Sequence, residues 1–244
     1  MARSIPDRWI PYKACGSIIE GTRMICFKVP LKRSVQVGKP EITEIWDIPS
    51  LIEAIPGLGA VIDLTNTARY YDPKELEAAG VLHKKILMPG REIPPENKVT
   101  EFMDAVDEFL GVRSDLIVGV HCTHGLNRTG YMVCRYLRDR VNIPAKDAIE
   151  RFEKARGYHI ERKNYLADLL GEPPHSPDKG RHTEVQPVQQ PSRRGRQQSE
   201  QDSFSTEFAN FRPRNGLSGH HSRQARSETA SRLQNYNYDY KYDY

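Results

Sequence analysis

The sequence predicts an α/β domain, with a central, mostly parallel sheet flanked by helices, followed by a disordered C-terminal tail. Three observations predict it. Short β-branched runs alternate with segments of helical period. One run, Asp115-Leu-Ile-Val-Gly-Val120, is continuously apolar at its centre, as in strands buried on both faces of a parallel sheet. The apolar residues then thin out near Gly171, where Pro, Gln, Ser, Arg, Asn, Gly and His take over. The domain is therefore placed at residues 1–172 and the tail at 173–244.

Thr22 to Pro30 mixes β-branched and aromatic residues and reads as an early strand ended by proline. Trp46 to Leu58 reads as a short helix, with Ile48, Leu51, Ile52 and Ile55 at helical spacing and Pro56-Gly57 as its stop. Ala60 to Leu64 is a buried strand running into the turn Thr65-Asn-Thr67. Lys84 to Met88 is a second strand leading to the loop Pro89 to Pro95. Val99 to Leu110 has an amphipathic helical pattern, and helices are predicted at about 128–140, 145–156 and 162–170.

Composition bounds the chemistry. Net charge is +4, and 11 Lys and Arg face 8 Asp and Glu from His175 onward, so the folded part is close to neutral and any affinity for a polyanion needs a local patch. The four cysteines fit neither a disulfide framework nor a CxxC zinc site, which points to reduced thiols. With no signal-like apolar run near the start, the chain is expected in the nucleus or cytoplasm, without a membrane partner and as a monomer. The tail carries Arg193-Arg-Gly-Arg196 and tyrosines at 236, 238, 240, 242 and 244, which read as solvated chain or as weak RNA-contacting elements.

The chemistry sits in Val118-Gly-Val-His-Cys-Thr-His-Gly-Leu-Asn-Arg-Thr-Gly130. Cys122 follows an apolar strand, and Arg128 opens a helix six positions later. Backbone N–H groups of residues 123–128, hence Thr123, His124, Gly125, Leu126, Asn127 and Arg128, can nest around phosphate oxygens at a helix N-terminus. Arg128 supplies a planar fork for two oxygens and keeps its charge. The same field lowers the Cys122 pKa, giving a nucleophilic thiolate. His121 is expected behind the cysteine, orienting the loop, and is counted with residues 123–128 in the substrate-binding set, and the Thr129 hydroxyl is expected to assist the sulfur when it leaves. A buried structural thiol is the bland alternative, and a metal site from His121, Cys122 and His124 would want a fourth ligand that nothing suggests.

The HCx₅RTG arrangement is that of the cysteine-based protein phosphatase superfamily. HCTHGLNRTGY in particular resembles the RNA 5′-triphosphatases of the metazoan capping-enzyme branch, among them the RNA/RNP-complex-interacting phosphatases. IPDRWIPY, GTRMICFKVPL, VIDLTNTARYYDP and ARGYHIERKNYLADL extend the resemblance over about residues 5–170. It implies the dual-specificity phosphatase-like fold and a metal-independent reaction on RNA 5′ ends, with no cofactor. The partners it implies are RNA 5′-triphosphate and diphosphate ends, with ribonucleoprotein or small-RNA processing proteins beside them. Capping enzymes also carry a nucleotidyltransferase domain with a KxDG lysine. This sequence has no KxDG and no room for that domain, so the resemblance implies the stand-alone branch, which removes γ- and then β-phosphate.

One departure from tyrosine phosphatases is informative: the loop that should hold a Trp-Pro-Asp acid reads Met-Pro-Gly-Arg-Glu-Ile-Pro. A phenolate of pKa about 10 needs a proton to leave, whereas a phosphate leaving group, with a last pKa of about 6, does so less. Asp63 and Glu92 are the candidate acids, with Asp63 preferred. Arg91 and Arg162 are the first candidates for further phosphate contacts, ahead of Arg69, Lys84, Lys85 and Lys163. Two other readings stand beside this one: a dual-specificity protein phosphatase, and a non-catalytic RNA-end binder.

Overall fold

The computed structural model describes residues 4–173, 185 and 187–189. The Arg-rich stretch, the terminal tyrosines and most of the expected tail lie outside them. Among the described residues, one sheet of five strands is built from β1 (Cys15–Ile18), β2 (Met24–Lys28), β3 (Leu58–Asp63), β4 (Leu82–Lys85) and β5 (Ile117–Cys122). Their order is β1-β2-β5-β3-β4, with β1 antiparallel to β2 and all other pairs parallel. The helices are α1 (Arg33–Gln36), α2 (Ile48–Ala54), α3 (Lys74–Ala78), α4 (Glu96–Val112), α5 (Asn127–Asp139), α6 (Ala145–Arg156) and α7 (Lys163–Leu170).

The three central strands are buried almost throughout because both faces are covered. Ile25, Phe27 and Val61 pack on one face with Trp9, Trp46, Ile48, Leu51, Ile55 and Leu76. On the other face α4 packs against β3 and β5, α5 against β5, and α6 against β1 and β2. The local starts and stops follow from sequence. Asp47 caps α2 by accepting from Ser50 N–H at 3.0 Å, and Gly157, at φ 86°, closes α6.

Several boundaries differ from expectation. The strand predicted at 84–88 lies at 82–85, since β3 ends at Asp63 and offers β4 no ladder beyond Lys85. The strand predicted at 115–120 runs through Cys122, because Asp63 pairs with His121 and Lys28 with Cys122. β1, α1 and α3 were not predicted. They are four or five residues long, too short to establish a period. After α7, Pro187 bridges Tyr158 and Val188 N–H donates to Gly157 O at 3.1 Å.

The N-terminal segment is part of the core. The Trp9 ring is buried, donates from Nε1 to Val29 O at 2.9 Å and carries the Lys28 ammonium 3.6 Å above it. Trp9→Ala is expected to cost about 3–5 kcal/mol, read as a lower urea midpoint. Ile10→Ala next to it, on a partly exposed side chain, is expected to cost less than about 1 kcal/mol.

Candidate active site

Ligands of parallel sheets bind beyond the carboxyl ends of the strands, and β5 delivers Cys122 there as its last residue. Cys122 lines a cavity of about 290 Å³. The cavity is walled by Pro6, Asp7 and Arg8 of the N-terminal segment, by Arg69 and Tyr70 after β3, and by Gly90 and Arg91 after β4. Thr123, His124, Asn127, Arg128, Arg162 and Tyr165 complete it.

Burial is the largest influence on the Cys122 thiol and acts to raise its pKa. The Arg128 charge, the Thr129 hydroxyl and the backbone N–H groups of Thr129 and Leu126 outweigh it, so the pKa falls below its ordinary value. Thr129 Oγ1 is buried and is among the groups that lower the pKa of the sulfur. Arg128 is held at three points: Nη1 donates to Leu64 O at 3.0 Å and Met88 O at 2.7 Å, and Nη2 to Thr123 Oγ1 at 3.0 Å. Two of its five donors remain, enough for a bidentate contact with phosphate.

A nest that points N–H groups inward must turn its carbonyls outward, and each outward carbonyl has a partner. Arg156, fully buried behind the loop, donates from Nε to Gly125 O at 3.0 Å and from Nη2 to His124 O at 3.0 Å. Thr123 O accepts from Val29 N–H at 3.1 Å. His121 Nδ1 lies 3.2 Å from Cys122 O. Gly125 sits at φ 64° with Phe27 O so near that an added Cβ would be 2.0 Å from it, so only glycine fits.

Several sequence expectations are corrected by these positions. His121 has no exposed surface, stacks on Phe27 and cannot touch substrate. Burial lowers its pKa, and the neutral ring then donates from Nδ1 to Cys122 O and accepts from Tyr71 Oη at 2.8 Å. It orients the loop from behind, as expected of it, but is not a substrate contact. Gly125 and Leu126 are buried as well, and Leu126 takes part through its backbone N–H, which reaches the sulfur, in keeping with the nest.

Asp63 is the larger correction. It does not line the cavity. Its Oδ2 accepts from Lys85 Nζ at 2.8 Å and its Oδ1 from Thr65 N–H and Oγ1, both at 2.7 Å. Burial pushes its pKa up, but the surrounding positive and hydrogen-bonding groups, Lys85 foremost among the direct partners, hold it below the ordinary carboxylate value. Such a group does not donate a proton near neutrality. Lys85 is consequently spent on Asp63, and Lys84 pairs with Glu101 at 3.5 Å. Neither lines the cavity, and nor do Glu92 and Lys163. Arg69, Arg91 and Arg162 do. Arg162 is placed by Asn127, whose Oδ1 accepts the N–H groups of Glu161 and Arg162 at 2.9 and 3.0 Å.

Sequence reasoning missed Arg8, Arg156 and Tyr165. A signal existed for Arg156, a guanidinium placed directly before the glycine that ends α6, but its depth depends on how α6 meets β1 and β2.

Residues 49–171 match the family model of the dual specificity phosphatase catalytic domain. The chain is 52% identical over 165 residues to a putative tyrosine-protein phosphatase 1 of Orgyia pseudotsugata multicapsid polyhedrosis virus, covering 68% of this chain and 75% of that protein. It is 49% identical over 165 residues to a tyrosine-protein phosphatase of Autographa californica nuclear polyhedrosis virus, covering 68% and 98%. The RNA/RNP complex-1-interacting phosphatase of Homo sapiens is 43% identical over 174 residues, covering 69% of this chain and 52% of that protein.

Two outcomes are expected from the geometry. The thiolate absorbance of Cys122 should titrate with a midpoint below the roughly 8.5 of a free cysteine, and Thr129→Val should move it upward while the melting temperature changes little. Asp63→Asn is expected to cost about 3–5 kcal/mol of stability at pH 7, by removing the carboxylate charge that faces the buried Lys85 ammonium. Because the folded pKa of Asp63 is depressed, its contribution is complete above the unfolded carboxylate pKa of about 3.9 and is lost as pH falls below it. The difference from wild type in urea unfolding should therefore shrink in acid.

Proposed function

The chain belongs to the dual specificity phosphatase family, and from that premise we propose that it hydrolyses the 5′-polyphosphate ends of RNA, taking the γ- and then the β-phosphate and leaving a 5′-monophosphate. The observation that carries this reading is the composition of the cavity lining. Five arginines, at 8, 69, 91, 128 and 162, surround the thiolate, and Asp7 is the one acidic residue among the described lining residues. A run of phosphates needs several cations. Its leaving group, a phosphate with a last pKa of about 6, departs without the proton that a phenolate of pKa about 10 requires. The name of the human relative, an RNA/RNP complex-1-interacting phosphatase, supports the same direction.

In this reading the terminal phosphoryl group sits in the nest of residues 123–128, with Arg128 across two oxygens. The Cys122 sulfur attacks phosphorus in line. The S–P bond forms as the bridging P–O bond breaks, and the bond's electron pair leaves on the shortened polyphosphate. Water then adds across the S–P bond, its oxygen to phosphorus, releasing inorganic phosphate and the thiolate, with the water's proton carried off on the product side. Thr129 Oγ1 donates to the departing sulfur, and the nest holds the developing charge throughout.

A second reading, hydrolysis of phosphotyrosine in proteins, is favoured by the names of the two viral relatives, both tyrosine-protein phosphatases. The two are separated by leaving-group demand and by charge.

Incubation with γ-labelled triphosphate RNA in EDTA is expected to release label, and chromatography of the product to show diphosphate ends that pass to monophosphate ends. Cys122→Ser is expected to lower the rate by about 10³-fold or more. Retention of the label, or full activity in Cys122→Ser, would defeat the proposal. A kcat/KM for a phosphotyrosine peptide equal to that for the RNA would favour the second reading.

A further inference from the structure

We propose that Arg8 is a specificity residue which, from the N-terminal wall of the cavity, holds a phosphate beyond the one transferred to Cys122 and so makes the site prefer consecutive phosphates to a single one. This rests on the reading of the site as one for polyphosphate ends. Four of the five lining arginines fall within the matched family region, residues 49–171, and Arg8 stands before it. The N-terminal segment forms one wall of the cavity, and Arg8 is the charge that it brings.

The wall is fastened directly to the catalytic loop. His124, two residues after Cys122, lies with Nε2 2.7 Å from Asp7 O, and Tyr12 packs on the same imidazole with ring centroids 5.2 Å apart. Lys28, whose Cα pairs with that of Cys122 in the sheet, donates from Nζ to Trp9 O at 3.2 Å and to Tyr12 O at 2.8 Å. Arg156, which holds the loop carbonyls, also donates to Lys13 O at 2.8 Å. Arg8 itself takes φ 56°, an uncommon backbone conformation for a residue with a Cβ, and this turn sends Trp9 into the core while the arginine stays at the cavity.

The side chain is aimed rather than loose. Arg8 Nη2 donates to Glu161 Oε1 at 2.7 Å and Nη1 to Glu161 Oε2 at 3.3 Å, and Nη2 also meets Tyr12 Oη. Glu161 is fixed in turn by Tyr12 Oη and by Asn127 Nδ2 at 3.2 Å, and Asn127 is the first residue of α5. Its charge is therefore shared among three donors and offsets that of Arg8 only in part. What it secures is direction: Arg8 is 19% exposed at its side chain, whereas Arg69 and Arg91 on the same rim are exposed residues. An ordered cation loses less freedom on meeting an anion than a mobile one, and a guanidinium matches phosphate geometry.

The test uses the full chain turning over p-nitrophenyl phosphate at fixed ionic strength, with orthophosphate and inorganic tripolyphosphate as competitive inhibitors. Wild type is expected to bind tripolyphosphate at least tenfold more tightly than orthophosphate, and Arg8→Ala to reduce that ratio at least fivefold. Arg8→Gln, which keeps a donor for Glu161 and hence the wall, gives the same readout if Arg8→Ala does not fold. A ratio equal in wild type and variant, or a wild type without preference for tripolyphosphate, overturns the proposal. Absolute rates do not enter, so a wall that merely sags alters both inhibitors alike and leaves the ratio in place, which also counts against Arg8. Because no RNA is used, failure on triphosphate RNA would remove the proposed function without deciding this result.

Discussion

A cysteine 3% exposed at the end of a central strand has its pKa held below the ordinary thiol value against the effect of burial, and the rest of the site is arranged around that sulfur. Burial alone favours the neutral thiol, as it does at Cys26, where the same loss of water raises the pKa far above the ordinary value. The two cysteines lie on neighbouring parallel strands and differ in where the chain goes next. Cys26 runs on within β2, whereas Cys122 ends β5 and meets the amides at the start of α5, the Thr129 hydroxyl and Arg128. Chain direction at a strand end, rather than depth, separates a reactive thiol from an inert one.

Amides pointed at one anion oblige their carbonyls to point away, into protein and not into water. That obligation explains the positions of residues far from Cys122 in sequence. Arg156 brings α6 against the loop, Val29 brings the end of β2, and His121 with Tyr71 brings the segment after β3. The buried pair of Asp63 and Lys85 belongs to the same scaffold, since Tyr71 Oη lies 3.2 Å from Asp63 Oδ2 as well as 2.8 Å from His121. His121, kept neutral by burial, directs its single proton to Cys122 O.

The parts of this arrangement that are local in sequence were legible there. The strand, loop and helix around HCTHGLNRTG carry their geometry in adjacent residues, and so the convergence of Cys122, Arg128 and Thr129 could be read from spacing. Asp63 was misjudged because a carboxylate ending a strand looks the same whether it turns toward solvent or toward a neighbour. What decides is Lys85 on β4, which depends on β4 pairing with β3 two residues earlier than its apolar run suggested. Arg8 and Arg156 were missed for a related reason. Each acts across a separation of more than thirty residues, on His124, Gly125 or Glu161, and no periodicity records such a contact.

The scarcity of carboxyl groups in the described lining and the abundance of arginine are two sides of one electrostatic choice. A carboxyl group serves as a proton donor only while it is protonated, and nearby cations stabilise its ionised form, lowering its pKa by roughly 1–3 units for each close arginine in typical cases. Within a ring of five arginines a carboxyl would be an anion at neutral pH. It would then offer no proton and would repel the substrate. A cavity charged for a chain of phosphates is thus one in which general-acid catalysis by a carboxyl is costly, and the substrate that most needs the cations is also the one whose leaving group least needs the proton. On the proposed reading the cationic lining and the ionised, withdrawn Asp63 act in the same direction, one through binding and one through the chemistry of departure.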